Sequence, residues 1–259
     1  MLLMLDIGNT NITLGVYEGK KLLFVSRMAT DRARMEDQYA IEIRDILDIY
    51  GVKVKDLDGC IISSVVPPLN TYIARAIKKL VGIEPVCVGK NTMTGLKVRI
   101  RNPETLGADL IAGSVGAAEL YGGPCIVWDM GTATTVCVID GELNMRGGCI
   151  IPGMAISMDA LISRTAKLPA ISLIAPKKII GTNTVECMRA GILYGQASMV
   201  DGLSGRIEEE LGTPCRIIAT GGLAREVVPL CRRDIVLCDN LVLEGLRVIY
   251  EKNAPGAAG

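Results

Sequence analysis

Leu5-Asp6-Ile7-Gly8-Asn9-Thr10-Asn11, at the start of the chain, and Trp128-Asp129-Met130-Gly131-Thr132-Ala133-Thr134-Thr135, about half a chain later, decide how this sequence is read. Both contain Asp-x-Gly with Thr close behind. Each ends one apolar run and begins another, so each is expected to be a tight turn between two strands. Asp can hold a hydrated Mg²⁺. Gly lets the backbone approach a phosphate, and turn amides with a Thr hydroxyl can bind its oxygens. One such motif is an ordinary glycine hairpin. Two in the same strand–turn–strand setting point to a duplicated nucleotide-binding domain.

Working outward, each motif opens a similar series of elements. The first half reads as strands near 2–6, 11–17, 21–28, 59–64 and 85–88, with helices near 36–50, 68–81 and 107–121. Ile41, Leu47 and Ile49, set among Glu42, Arg44 and Asp48, give the first helix an amphipathic face. Tyr121-Gly122-Gly123-Pro124 is a turn and a domain boundary. The second half restarts with strands near 125–129, 133–140 and 143–151 and helices near 154–163 and 184–211. A strand at 215–219, a helix near 222–230, a short strand at 235–238 and a helix at 241–252 close it. Three meandering strands followed by alternating helices and strands, twice over, form an internal repeat. The expected domains are 1–121 and 122–253, two α/β layers with a nucleotide cleft between them. The tail 254–259, APGAAG, is expected to be disordered or extraneous to the natural chain.

Composition narrows the chemistry. Lys plus Arg equals Asp plus Glu, 28 each, so no positive field draws in nucleic acid or an anionic membrane. No apolar run approaches the ~18 residues of a membrane span, and the N-terminus has neither a basic segment nor a cleavage site. A cytoplasmic protein without nucleic-acid or membrane partners is expected. Nine cysteines, none spaced C-x-x-C, read as buried packing thiols of a reducing compartment. The chain has no His, so any general base must be a carboxylate, Lys, Tyr or thiolate.

The segment 184–211 carries Gly191, Gly195, Ser198, Gly202 and Gly205 at spacings of three and four. Each Gly inside a helix costs about 1 kcal/mol relative to Ala. A close helical neighbour offsets that cost; a pair of shorter helices with glycine caps avoids it.

Phosphoryl transfer needs neutralised phosphates and an aligned hydroxyl. No GxxxxGK[ST] loop is present, so the two hairpins must supply the cradle. Asp6, Ile7, Gly8, Asn9, Thr10, Asn11, Ile12 and Thr13 are expected to wrap the β- and γ-phosphates, with Asp6 holding Mg²⁺ through water. Thr132 grips from the second hairpin. Asp109, in Gly107-Ala108-Asp109 at the start of a helix, is the best candidate base. An Asp there equally suits a helix cap.

With these hairpins aligned, the chain resembles the type III pantothenate kinases, within the acetate kinase, sugar kinase, Hsp70 and actin superfamily. The resemblance covers nearly all of residues 1–253. It rests on DIGNT (6–10), TDRARMEDQY (30–39), SSVVPPL (63–69), TGLKV (94–98), NPETLGAD (102–109), DMGTATT (129–135), GGCIIPG (147–153), TAKLP (165–169), IGTNTVECMRAG (180–191), ATGGLA (219–224) and LEGLRVIYEKN (243–253). It implies two pseudo-repeated actin-like, ribonuclease H-like domains, ATP-dependent phosphorylation of pantothenate as the first step of coenzyme A synthesis, a homodimer, Mg²⁺, and a monovalent cation, K⁺ or NH₄⁺. It further implies that Asp109 accepts the proton and that Asp129 holds the monovalent cation. Gly107, Ala108, Asp109, Leu110 and Thr184 stand where the family contacts its substrate. Gly221 and Gly222 stand in the superfamily's adenosine loop.

Two departures bear on the acceptor. The family usually reads Gly-Ala-Asp-Arg, where Leu110 ends the run here, and it often carries an aromatic where this chain has Val98-Arg99-Ile100-Arg101. Arg99 and Arg101, alternating on an expected strand, either form a solvated strand edge or offer a replacement guanidinium for the pantothenate carboxylate. A diverged nucleotide-binding paralogue with weak or no kinase activity is the alternative expectation.

Overall fold

The computed structural model describes residues 1–254. In chain order the elements are β1 (Leu2–Ile7), β2 (Asn11–Glu18), β3 (Lys21–Ala29), α1 (Glu36–Ile49), β4 (Gly59–Ser64), α2 (Pro67–Val81), β5 (Val86–Cys87), β6 (Lys97–Val98), α3 (Ala108–Tyr121), β7 (Cys125–Met130), β8 (Ala133–Ile139), β9 (Asn144–Pro152), α4 (Met154–Ser163), α5 (Thr184–Leu211), β10 (Arg216–Thr220), α6 (Ala224–Val227), β11 (Ile235–Leu237) and α7 (Leu241–Asn253). Of the tail assigned to 254–259, residues 255–259 lie outside the described residues.

The strand orders carry the internal repeat. One sheet runs β3-β2-β1-β4-β5 and the other β11-β10-β7-β8-β9-β6. In each, three strands meander antiparallel, and the first of them pairs in parallel with the strand that follows the intervening helices, β1 with β4 and β7 with β10. This is the α/β arrangement expected from the sequence. The short β6 pairs in parallel with β9 at the edge of the second sheet.

The first unit comprises residues 1–96, 101–119 and the last helix. Alternate residues of a strand face opposite sides, and both sides of this sheet are covered. Leu3, Leu5 and Ile7 join Ile12, Leu14 and Val16 under α1 and α2. Met4, Tyr17 and Ile61 lie on the other side, under Ala112 and Val115 of α3 and Leu243, Leu246 and Ile249 of α7. Burial on both faces is why β1 and β4 read as nearly unbroken apolar runs. The helix α2 begins with Pro67, suited to a first turn, and stops at Gly82 with φ +81°, a left-handed cap.

Here the expected domain boundary is corrected. α7 belongs with the first sheet rather than with residues 122–253. Tyr17 Oη donates to Glu244 at 2.6 Å, and a Cβ at Gly15 would lie 2.8 Å from the Leu243 side chain. Gly116 of α3 and Gly245 of α7 let the two helices meet backbone to backbone: a Cβ on Gly116 would stand 3.0 Å from the Gly245 nitrogen. The amphipathic face of α1 is also corrected. Tyr39, Ile43 and Leu47 are buried, whereas Ile41 and Ile49 are 51% and 78% exposed.

The second unit comprises residues 97–100 and 120–240. Its core joins Ile126, Trp128 and Met130 of β7 to Leu193, Ala197 and Val200 of α5, and the buried Trp128 donates its indole N–H to Ser204 Oγ at 3.1 Å. α5 is one continuous helix from Thr184 to Leu211, not a broken pair. Asn183 caps it by accepting from the Glu186 amide at 3.0 Å, and Gly212 (φ +70°) ends it. A Cβ added at Gly191, Gly195 or Gly202 would meet nothing within 4 Å. The close neighbour that this glycine spacing calls for is therefore not found among the described residues.

None of the nine cysteines forms a disulfide among the described residues. Burial pushes the thiols of Cys125 and Cys231 up to about 12 and raises that of Cys60, which makes them poor nucleophiles. Cys87 and Cys187 are exposed, unlike the buried packing thiols expected.

Candidate active site

In the first unit, the turn from β1 to β2 is closed by Gly8 N donating to the Asn11 carbonyl at 3.0 Å. A Cβ on Gly8 would lie 3.0 Å from that same oxygen, so the residue is small because its backbone folds close. The segment after β3 straps the turn from outside. Thr30 Oγ1 donates to the Gly8 carbonyl at 2.7 Å, Thr30 N to the Thr10 carbonyl at 3.0 Å, and Arg32 Nη2 to Asn9 Oδ1 at 3.0 Å. Asn9 and Thr10 are exposed at the tip.

Asp6 is the last residue but one of β1, just before this turn. The strand register sets Thr13 of β2 on one side of it and Ser63 of β4 on the other, so three oxygen-bearing side chains form a row on one face of the sheet. Ser63 is fully buried and its Oγ has no hydrogen-bond partner. Nearly all buried hydroxyls find a partner, so the exception calls for an explanation. A carboxylate flanked by two hydroxyls suits a hard cation carrying its own waters, so the residues present fit the Mg²⁺ that the resemblance implies.

Asp109 sits one residue inside α3, which opens at Ala108. Its Oδ1 accepts from the Leu110 amide at 2.8 Å. A capping side chain instead bonds an amide two or three residues on, so Asp109 is not an N-cap. Burial is the main influence on this carboxyl and raises its pKa; hydrogen bonds from the Leu110 amide and its own amide partly oppose that. A carboxylate made more basic by desolvation can accept a proton. Gly107 carries no side chain because a Cβ there would run into Asp109 Oδ1 and stand 3.4 Å from Val65, just beyond β4. Leu110 is half-buried.

In the second unit, the turn from β7 to β8 is one residue tighter, with Gly131 N donating to the Ala133 carbonyl at 3.1 Å. Two glycines press on it. A Cβ on Gly153, just past β9, would collide with the Thr132 carbonyl and lie 2.8 Å from the Gly131 oxygen. Gly221, at φ +94°, would place a Cβ 2.6 Å from both Asp129 Oδ1 and the Met130 backbone. The loop carrying Gly221 and the exposed Gly222 is further joined to the hairpin by Leu223 N donating to the Met130 carbonyl at 3.3 Å. Thus Asp129, Thr132 and Gly221 are brought together. Thr184 is exposed in the first turn of α5.

Asp129 has its own row, Thr135 on β8 and Thr220 on β10, matching Thr13 and Ser63 around Asp6. Ser63, Thr135 and Thr220 are the residues that sequence reasoning missed. For Ser63 and Thr220 the available signal was a small hydroxyl residue near the carboxyl end of an apolar strand, as in Arg216-Ile217-Ile218-Ala219-Thr220; Thr135, near the start of β8, carried no such signal. The expected strand through Arg99 and Arg101 is shorter than read. β6 stops at Val98, and both arginines follow it, exposed.

Comparison with known proteins follows the same lines. The profile of the type III pantothenate kinase family matches residues 2–206. The chain is 43% identical over 253 residues to a type III pantothenate kinase of Halalkalibacterium halodurans, covering 98% of this chain and 100% of the other. Its identity to the one from Moorella thermoacetica is 42%, covering 98% and 100%. Among solved structures, a putative Baf family transcriptional activator from Campylobacter jejuni superposes with a TM-score of 0.59 at 18% identity, covering 97% of this chain and 98% of that one. A putative 2-dehydro-3-deoxygalactonokinase from Sinorhizobium meliloti gives 0.59 at 15%, covering 100% and 99%. At such identities the likeness is one of fold. The full-length identity to the named kinases is of another order, and the chain belongs to the type III pantothenate kinase family.

Proposed function

We infer that this protein transfers the γ-phosphoryl group of ATP to the hydroxyl of pantothenate, giving 4'-phosphopantothenate and ADP at the entry to coenzyme A synthesis. The observation that carries the reading is the 43% identity across 98% of this chain and all of a named type III pantothenate kinase. It favours a kinase over a non-catalytic paralogue.

Asp109 takes the proton as the acceptor oxygen bonds to phosphorus and the bond to the β–γ bridging oxygen breaks. Its raised pKa suits that role. Gly107, Ala108 and Leu110 border the acceptor, with Thr184. Residues Asp6 to Thr13 and Thr132 bind the phosphates, and Gly221 and Gly222 take the adenosine. Mg²⁺, when bound beside Asp6, neutralises phosphate charge. A monovalent cation beside Asp129 keeps that carboxylate from repelling phosphate oxygens.

The test is direct. Wild-type protein with ATP, Mg²⁺, K⁺ and pantothenate should yield ADP and 4'-phosphopantothenate in equal amounts by mass spectrometry. Nucleotide binding without product would return the paralogue reading. Leu110 sharpens it. If Arg99 or Arg101 replaces the family's guanidinium, alanine at that position should raise the KM for pantothenate about tenfold, the worth of one charge-assisted bond. Leu110→Arg should raise kcat/KM. If none of these changes matters, carboxylate recognition lies elsewhere.

The homodimer belongs to the same reading, with the open glycine stripe of α5 as its contact. Gly195→Leu should then shift the sedimenting species from dimer to monomer. A Gly195→Leu protein that stays dimeric removes the stripe from the interface.

A further inference from the structure

Ser63 is one of three residues of the first unit, with Asn70 and Ser114, that bury a polar side-chain atom without a hydrogen-bond partner, and the one of them in register with Asp6. Its residue is fully buried, its hydroxyl has no partner, and it stands in register beside Asp6. The neighbouring Ser64 is accounted for, because its Oγ accepts from the Val66 amide at 3.1 Å at the entry to α2. Ser63 points the other way. Residues two apart share a strand face, so Ser63 shares the face of Ile61, which packs with Met4, α3 and α7. A hydrophobe would serve packing there better than an unsatisfied hydroxyl, which forfeits its hydration with nothing in return. The position also falls at the carboxyl end of parallel strands β1 and β4, where open α/β sheets place their ligands. Just past β4, Val65 lies beside the Gly107 turn that carries Asp109, 3.4 Å from where a Cβ on Gly107 would stand.

We propose that Ser63 is a positioning residue for the divalent cation: its hydroxyl hydrogen-bonds a water of the cation's shell and fixes that water against Asp6. The arrangement Thr13–Asp6–Ser63 then holds the cation from three adjacent strands rather than from a flexible loop. One carboxylate and two neutral hydroxyls suit a metal that keeps most of its waters. This inference rests on the kinase reading and extends it to a residue outside the hairpin.

The experiment compares wild type, Ser63→Ala and Ser63→Cys. Mn²⁺ binding to the protein–ADP complex is followed by electron paramagnetic resonance, alongside thermal melting of the nucleotide-free protein. Losing one hydrogen bond should weaken Mn²⁺ binding by about threefold to tenfold in both variants, and the Mg²⁺ needed for half-maximal rate should rise in step. The melting temperature of Ser63→Ala should hold or increase, since an orphaned hydroxyl is gone. Cysteine keeps the volume and loses the strong hydrogen bond, so it carries the test if alanine leaves the protein unfolded. Unchanged Mn²⁺ affinity in either folded variant overturns the proposal. Wild type that binds Mn²⁺ and ADP but never phosphorylates pantothenate sinks the kinase reading and leaves the metal measurement to judge Ser63.

Discussion

Thr30 follows β3 and Gly153 follows β9, so the internal repeat places them at equivalent positions, each one residue beyond the strand partner of its hairpin's second arm. They hold their hairpins by opposite means. Thr30 reaches the first turn with two hydrogen bonds, one from its hydroxyl and one from its amide. Gly153 lets its backbone lie directly on the Thr132 carbonyl, where no Cβ fits. The first turn is longer, exposed at Asn9 and Thr10, and tied by groups that can let go. The second is shorter and wedged between Gly153 and Gly221. Two copies of one motif thus keep the same row of side chains beside their aspartates but hold their turns differently, the first by side-chain and amide hydrogen bonds and the second by close backbone packing.

The largest effect should come from the unit that holds the first hairpin. Asp109→Asn removes the proton acceptor, and turnover should fall about 10²- to 10⁴-fold while ATP binding stays near wild type. Near-normal turnover would remove Asp109 from the mechanism. Burial raises this carboxyl, and the base is the charged form. The wild-type kcat/KM should therefore decline, as pH falls, at a higher pH than an exposed aspartate would give. Stability has the opposite sign. A carboxyl with a raised folded pKa favours the fold below its unfolded value, roughly pH 4, and that advantage is lost as pH rises through the folded value. At neutral pH the charged, desolvated Asp109 therefore opposes folding. Asp109→Asn should melt higher than wild type at pH 7 and lose that margin toward pH 4. Equal melting at both pH values would mean that the carboxylate is not desolvated.

The wedge in the second unit is tested by a single methyl. Gly153→Ala must displace the Thr132 carbonyl, and overpacking of this kind costs about 1–3 kcal/mol. The same change at Gly8 meets only the Asn11 oxygen, at 3.0 Å, a contact that a shift of a few tenths of an ångström relieves, and should cost under about 1 kcal/mol. Thermal melts of the two variants decide it. A Gly8→Ala protein as damaged as Gly153→Ala would erase the distinction between a strapped turn and a wedged one.

Much of this was legible in the sequence, because the duplicated Asp-x-Gly turns and the apolar runs beside them are local signals. The repeated succession of strands and helices followed from them. What escaped has a common physical cause: it depends on contacts between distant segments. α7 was placed with its sequence neighbours, yet Gly15, Gly116 and Tyr17 draw it to the first sheet. β6 is two residues long and carries no periodicity. Gly191, Gly195 and Gly202 pattern like a packed seam but face open space. Ser63 and Thr220 look like ordinary strand ends until the register sets each beside an aspartate.

The smallest effect concerns how the first turn is strapped. Arg32 donates to Asn9 Oδ1 at the tip, and that turn contains no Lys or Arg of its own. A guanidinium beside a phosphate-binding turn raises the local concentration of anionic nucleotide whether or not it touches it. An exposed charged contact is worth only about 0.2–1 kcal/mol, so Arg32→Ala should leave the melting temperature unchanged and raise the KM for ATP by about two- to fivefold. The charge and the strap are separable. Arg32→Lys keeps the charge but loses the planar guanidinium that reaches Asn9. If the field matters, lysine restores the KM, and the alanine defect shrinks as salt shortens the screening length to below about 10 Å. If the tether matters, lysine behaves like alanine and the defect persists at high salt. A wild-type KM for Arg32→Ala at every ionic strength would leave Thr30 as the only strap that counts and would bring the first hairpin closer in kind to the second.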